Sequence, residues 1–316
     1  MKRVGPITWS GIIALFLWMA LSVNPVFAGD TPVIKKRSSE TEKASVLLKE
    51  EKPAEAEKIL DKVLKQNNKD ADAYQLRSFA RSYQNNLQGA LEDVTRSLEL
   101  GPENVGKYRS RAIIYLQMQK YNEAVEDFEA IDQTYSATKK ELDRETLMMI
   151  GVAFFCKGGE DGKASTYMFR AAKASESNDS KLSALYATWS IVARVAMDPQ
   201  HKENYGHLLK MLKKEVDSQA SDIADAKIKG IDVTRQEYTV LTGRYILGEV
   251  SEKEFLAAAT ARTSGSLCEA CFYIAMHYIA IGNKAKAGEF LQQVVDLKLH
   301  RNMLWMMAEG ARTQGL

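Results

Sequence analysis

Alanines recur along this chain at a fixed step: Ala56, Ala90 and Ala124 are evenly spaced, thirty-four positions from one to the next. Leu60, Val94 and Phe128 follow in phase, and so do Val63, Ser97 and Ile131. Twelve positions ahead of each alanine comes another small residue, Ala44, Ser78 and Ala112, while Tyr74 and Tyr108, and Arg77 and Arg111, repeat at the same interval. Ala124, Phe128 and Ile131 lie at i, i+4 and i+7, one stripe of an α-helix, and Ala56, Leu60 and Val63 do likewise. Each stripe needs a covering neighbour. A small residue on a first helix lets a second helix approach closely, with Tyr74 or Tyr108 filling the wider gap. One helical hairpin cannot bury its apolar face alone, so the period predicts hairpins stacked on hairpins. Gly101-Pro102 predicts the end of a second helix, because glycine permits a C-terminal turn and proline cannot continue the ladder.

Stretches such as Ala73-Tyr74-Gln75-Leu76-Arg77-Ser78 and Tyr121-Asn122-Glu123-Ala124-Val125-Glu126-Asp127-Phe128 resemble the tetratricopeptide repeat family, whose period is the same. The resemblance implies an all-α, TPR-type superhelix, a solenoid of helical hairpins. It also implies a non-enzymatic scaffold or adaptor that holds a partner peptide or helix in a concave groove. Six Pro and 19 Gly are too few for a turn-rich all-β fold, and three Cys are too few for a disulfide-stapled one.

The phasing divides the chain. Residues 40–138 carry three regular repeats. Gly151 and Ala164 restart the pattern, but Ala164 comes forty positions after Ala124 instead of thirty-four, which makes 139–174 a looser fourth unit. Gly158-Gly159-Glu160-Asp161-Gly162 in this insertion reads as a surface turn, lacking the lysine of a phosphate loop and the alternating acids of a calcium loop. Residues 175–262 read as degenerate hairpins, with helical segments around Leu182–Met197, His207–Val216 and Gln236–Ala261 and a break at Asp198-Pro199. Ala275, Ala287, Leu291 and Val294 then restore the spacing in a C-terminal unit over 263–316. Met303, Leu304, Met307 and Ala308 put one apolar face on a capping helix over 301–313. The C-terminal unit resembles that of exported bacterial tetratricopeptide proteins, including the NlpI-type lipoprotein scaffold.

Residues 1–28 have the layout of a signal peptide: a basic start at Lys2-Arg3, an apolar run through Ile12–Leu21, and Val26-Phe27-Ala28 before a cleavage point. An uncleaved membrane anchor is the alternative. Cleavage predicts an exported, periplasmic protein with no stable membrane insertion, preceded by a flexible leader over 29–39 that is too polar to pack. No cysteine follows the apolar run for acylation, so outer-membrane tethering is not expected. The formal charge of +2 falls to zero once Lys2 and Arg3 are removed, which argues against nucleic acid as a partner and leaves protein.

In a stack of this kind the inner face comes from the first helix of each unit. That places Gln75, Phe79, Ser82 and Tyr83, then Arg109, Ile113, Leu116 and Gln117, in the partner-binding groove. Phe79 and Tyr83 are natural anchors, since aromatics bury much area at small entropic cost. The competing reading is that Phe79, Ile113 and Leu116 pack between repeats. Some family members clamp a terminal carboxylate with groove Lys and Asn side chains, a set that Thr41, Ser45, Gln75, Phe79, Arg109 and Ile113 do not supply. Cys268 and Cys271, i and i+3 at an expected helix start, allow a disulfide or a dithiol redox pair, although no strand precedes them as the thioredoxin arrangement requires. Otherwise they are small core residues, as Cys156 is expected to be. His201, His207, His277 and His300 have no metal-site spacing, and no nucleotide loop or nucleophile elbow is present, so neither cofactor nor catalysis is expected. A structural assembly factor of an envelope or secretion complex is the second functional reading.

Overall fold

A computed structural model describes residues 38–102, 104–138, 140–174, 202–300 and 302–315, without the side chains of residues 202–205 and 207. The helix expected at Leu182–Met197, its break at Asp198-Pro199 and the signal segment lie outside the described residues. Those described form 14 α-helices and no strand. They fall into two compact units, residues 1–138 and 139–316.

Unit 1 holds three hairpins: α1 (Ser39–Lys49) with α2 (Pro53–Gln66), α3 (Ala71–Tyr83) with α4 (Leu87–Leu100), and α5 (Val105–Gln117) with α6 (Tyr121–Ala137). Each helix packs on the next, and α1 also lies against α3. Ser38 and Asp70 cap α1 and α3, each accepting a backbone N–H three residues ahead. Ser39, assigned to the leader, is thus already helical. The phased small residues Ala44, Ser78 and Ala112, and Ala56, Ala90 and Ala124, are all wholly buried, so the repeated step marks close helix approach.

The turns inside the hairpins repeat as well. Glu51, Asn85 and Gln119, spaced by the same step as the alanines, all take the left-handed conformation at φ 60°, 61° and 59°. The amides that follow, of Lys52, Asn86 and Lys120, return to the carbonyls of Leu47, Arg81 and Tyr115 at 2.8–2.9 Å, the six-to-one bond that closes a helix end. Gly101 does stop α4, but at φ −167°, an extended conformation open to any residue. The Gly101 carbonyl instead accepts from buried Lys107, whose ammonium also reaches the Ser97 carbonyl and so covers the end of α4.

Unit 2 opens with α7 (Arg144–Lys157) and α8 (Asp161–Lys173), separated by the expected glycine turn with Gly158 and Gly159 at φ 78° and 75°. Gly151 lets α8 in: a β-carbon there would meet Met168 at 2.8 Å and the Ala164 carbonyl at 3.1 Å. Beyond the undescribed stretch, α9 (Lys202–Ile228) extends well past the segment expected at His207–Val216. The helix expected over Gln236–Ala261 is two, α10 (Thr234–Ile246) and α11 (Glu252–Thr260). Gly248 at φ 76° turns the chain between them, and the Ser251 hydroxyl accepts the Glu254 amide to start the second. A train of rings, Tyr238, Phe255, Tyr245, His277, Tyr278 and Phe290, with neighbouring centroids 4.7–6.1 Å apart, binds α10 and α11 to α12 (Ser264–Ala280) and α13 (Lys284–Asp296).

The final helix, α14 (Met303–Thr313), corrects the expectation of a terminal cap with one apolar face. It packs on α12 and α13 and also returns to α7, the first helix of the unit. Covered on two sides, it buries Leu304–Ala308, Gly310 and Ala311. α7, held between α8 and α14, is buried without a break from Thr146 to Cys156, as a helix surrounded by protein must be.

Candidate protein-binding face

The first helices α3 and α5 of unit 1 are each half-sunk in the stack. On α3, Ala73, Leu76, Ser78 and Ala80 are buried, whereas Gln75, Phe79, Ser82 and Tyr83 keep part of their surface in water. On α5, Arg109, Ile113 and Gln117 do the same. Leu116 does not: at 2% exposure it belongs to the core and is removed from the groove set. Sequence phase alone could not make that distinction, because the inner edge of a first helix borders both the open face and the next hairpin. Thr41 and Ser45 are likewise buried. Phe79 and Tyr83 spend part of their surface on the core shared by α1, α2 and α3, which includes Leu48, Leu76 and Ala80, so the packing expected as the alternative for Phe79 is present. The Ser82 hydroxyl donates to Gln117 Oε1 at 3.0 Å, which ties α3 to α5 across this face.

Another edge of the same helices carries ions. Arg77 donates in two-pronged fashion to Asp93 on α4 at 2.7 and 2.9 Å and to Asp61 on α2 at 2.7 Å. Arg111 repeats the fork on Asp127 of α6 at 2.7 and 2.9 Å. Arg81 adds Glu57 and a second contact to Asp93. Burial works against the Arg77 charge, but the bonds it donates to Asp93 and Asp61 outweigh it and hold the guanidinium above its ordinary range. For Arg111 the Asp127 bond is the largest influence and acts in the same direction. Asp93 and Asp127 are buried carboxylates missed at the level of sequence, although their signal is plain: both stand sixteen positions after a phased arginine. These pairs lock α3 to α4 and α5 to α6, and Asp61 and Glu57 also tie α3 back to α2, which holds the helices that carry Gln75, Phe79, Arg109 and Gln117.

In unit 2 the cysteines form no site. Cys268 and Cys271 are free, buried thiols, not a disulfide. Thr263 caps α12, which begins at Ser264, so Cys268 stands a full turn inside the helix. Burial pushes the Cys268 thiol up to about 12 and the Cys271 thiol up to about 11, opposite to the activation a dithiol reagent needs. Cys156 is the buried residue expected. His277 sits half-buried between Tyr245 and Tyr278, and burial lowers its pKa. Among the described residues no group of three or more His, Cys, Asp or Glu side chains is placed to hold a metal ion, and no helix is long and apolar enough to cross a membrane.

The fold is all-α and of the tetratricopeptide type. No protein-family model and no curated protein matches the chain. Among solved structures, a tetratricopeptide repeat protein from Parabacteroides merdae ATCC 43184 superposes with a TM-score of 0.52 at 12% identity, over 85% of this chain and 97% of its own, and carries the comparison of folds. MamA from Desulfovibrio magneticus RS-1 aligns at 14% identity and a TM-score of 0.46, over 56% of this chain and 97% of its own. YrrB, described as a TPR protein with an unusual peptide-binding site, aligns at 19% identity and a TM-score of 0.40, over 81% and 98%.

Proposed function

We propose that the protein is a non-enzymatic scaffold of the bacterial envelope that holds a peptide or helix of a partner protein along α3 and α5 of unit 1. The observation that carries this reading is the row of half-exposed Gln75, Phe79, Tyr83, Arg109, Ile113 and Gln117 on helices whose other sides are buried or ion-paired. Such a face offers rigid aromatic and aliphatic surface beside amide and guanidinium donors, the mixture that protein interfaces concentrate at their anchors. Residues 1–28 support export to the periplasm, and the NlpI-like C-terminal unit supports an adaptor's role there.

The test uses charge reversal, because truncating Phe79 or Tyr83 also removes core packing. Arg109→Glu with Gln117→Glu leaves the buried positions untouched and keeps the helical circular dichroism of the wild type. Partners recovered with wild-type protein from periplasmic extract are lost with this double variant. Undiminished recovery rejects the face, and recovery only from cytoplasmic extract rejects the compartment.

A further inference from the structure

By sequence α2 is electrically balanced, with Lys58, Lys62 and Lys65 against Glu55, Glu57 and Asp61. The fold separates the two signs. Glu57 accepts from Arg81 at 2.9 Å and from Gln84 at 2.6 Å, and Asp61 accepts from Arg77 at 2.7 Å, so both acids are spent on α3 and its C-terminal end. The lysines stand at i, i+4 and i+7, one stripe of the helix, on the side away from buried Ala56, Leu60, Val63 and Leu64. All three are exposed, and among the described residues none of them has an ion pair or a side-chain hydrogen bond. Glu55, exposed one turn ahead of Lys58, is the acid of α2 that remains beside them.

The later hairpins do not repeat this row. Thirty-four positions on, the same places hold Glu92, Arg96 and Glu99 on α4, where Arg96 is paired with Glu99 at 2.7 Å. One step further they hold Glu126, Ala130 and Gln133 on α6. At these phased places, three unneutralised positive charges within about 10 Å of helix thus belong to the first hairpin alone. Ala54, Glu55 and Gln66 border the lysines, without the aromatic ring or arginine on which protein interfaces anchor. A lysine is a hydrated point charge without the directional fork of arginine, so the row answers to the density of negative charge and not to a shape. In sequence, Lys35, Lys36 and Arg37 add the same sign ahead of α1.

We propose that the outer face of α2 docks on an anionic lipid bilayer, with Lys58, Lys62 and Lys65 resting among the phosphate head groups. The contact is electrostatic and superficial, since this face has no large apolar side chain to insert. These residues are separate from the α3–α5 face of the proposed function, and either surface can fail its test without the other.

The experiment measures partition of the purified full chain into vesicles of phosphatidylcholine alone and of phosphatidylcholine mixed with phosphatidylglycerol, at low salt. The apolar run Ile12–Leu21 contributes to both, so the readout is the ratio of anionic to neutral partition. Each lysine near an anionic surface is worth about fivefold, so Lys58→Gln/Lys62→Gln/Lys65→Gln should lower the ratio roughly 100-fold. Rising salt should bring the wild-type ratio down toward that of the variant. Glutamine suits a helix about as well as lysine, so the helical circular dichroism should be kept. Each single substitution should lower the ratio about fivefold, which decides the matter if the triple variant does not fold. Lys253→Gln/Lys284→Gln/Lys298→Gln removes the same charge from exposed positions of unit 2 and should leave the ratio nearly unchanged. A wild-type chain that does not prefer anionic vesicles overturns the proposal, and so does a unit 2 variant that loses as much as the α2 variant. Polyglutamate or duplex DNA held as tightly as anionic vesicles, and released by the α2 variant, would overturn the lipid assignment in favour of that polyanion.

Discussion

In unit 1, six helices follow one another in chain order, and the first helix of each hairpin alternates buried positions with half-exposed ones. In unit 2, the last helix comes back to the first, and α7 has no exposed face from Thr146 to Cys156. Both begin from the same hairpin, with a small residue opposite an alanine. They differ in what covers a first helix. In unit 1 polar side chains do so, with ion pairs fixing the second and third hairpins; in unit 2 another helix of the same unit does so. The lesson is that one repeat chemistry serves two ends. Left in a row it keeps one side of each first helix half-exposed, and closed on itself it covers that side with another helix.

The sharpest way to test the first half of this contrast is to remove a fork. Arg111→Ala leaves Asp127 buried without the guanidinium that neutralises it, and stranding a buried charge costs roughly 3 kcal/mol. Arg77→Ala should cost less, because Asp93 keeps Arg81 at 3.0 Å. Urea unfolding of the two variants measures the order. Equal losses would show that Arg81 does not relieve Asp93, and negligible losses in both would show that the forks do not carry unit 1.

The closure of unit 2 is next in size. Gly310→Val drives a branched side chain into Cys156, where the obstacle is partly backbone, so about 2 kcal/mol should be lost, as for other overpacked contacts. Hydrogen exchange resolved by peptide should show faster exchange in α7 and α14, with α1 to α6 unchanged. An unaltered α7 would mean that the return of α14 contributes little.

Much of unit 1 was legible in the sequence because its helices differ from one another by small, in-phase changes. Ala56, Ala90 and Ala124 announce the close contacts directly. Leu116 stayed open between groove and core because a leucine at an inner-edge position has the same phase whether it faces water or the next hairpin, and its burial decides for the core. The return of α14 was illegible for a different reason. Its contacts with Cys156 span about 150 residues, and no local period encodes a pairing at that distance. The continuous apolar run Leu147–Cys156 was the available hint, since a helix apolar on every side needs cover on every side. The open face of unit 1 was only partly legible: the aromatics were evident, but the Ser82–Gln117 bond across it depends on the placement of helices that Asp93 and Asp127 hold.

Acidity and alkalinity should separate the units further, since unit 2 carries buried titratable groups on α12. For Cys268 and Cys271 the folded pKa lies above the ordinary value of 9.0, at about 12 and about 11, so the protonated thiols favour the folded state. Their contribution is complete below pH 9 and is lost as pH rises toward the folded values, on the order of 1 kcal/mol for each thiol by pH 10. His277 acts at the other end. Burial lowers its folded pKa below 6.5, so its contribution is present above that value and is lost as pH falls beneath it. Glu269 on the same helix, pushed up by burial to about 7, works against the His277 limb, since its contribution is complete below its ordinary 4.5 and is lost as pH rises toward 7. Thermal unfolding between pH 5 and pH 10, about the range these groups span, should therefore show an alkaline limb set by the thiols and an acid limb set by the balance of His277 and Glu269. Cys268→Ala/Cys271→Ala should flatten the alkaline limb, and His277→Phe and Glu269→Gln should each remove their own, opposing part of the acid limb. Limbs that survive those changes would assign the pH dependence elsewhere.

The smallest effect compares the same turn in both units. Glu51, Asn85 and Gln119 hold left-handed backbone in unit 1, whereas the matching turn of the C-terminal hairpin uses Gly282 at φ 78°. The six-to-one bond is present in both, with the Asn283 amide on the Tyr278 carbonyl at 2.8 Å, so geometry is constant and residue type is the variable. A side chain in this conformation costs about 1 kcal/mol, partly offset by the greater freedom a glycine loses on folding. Gln119→Gly should thus raise the stability of unit 1 by roughly 0.5 kcal/mol, and Gly282→Ala should lower that of unit 2 by about 1 kcal/mol. Asparagine tolerates the left-handed region better than glutamine, so Asn85→Gly should gain less than Gln119→Gly. Denaturant midpoints of the three variants give the ranking. A loss on Gln119→Gly would mean that the glutamine side chain contributes more to its turn than its backbone conformation costs.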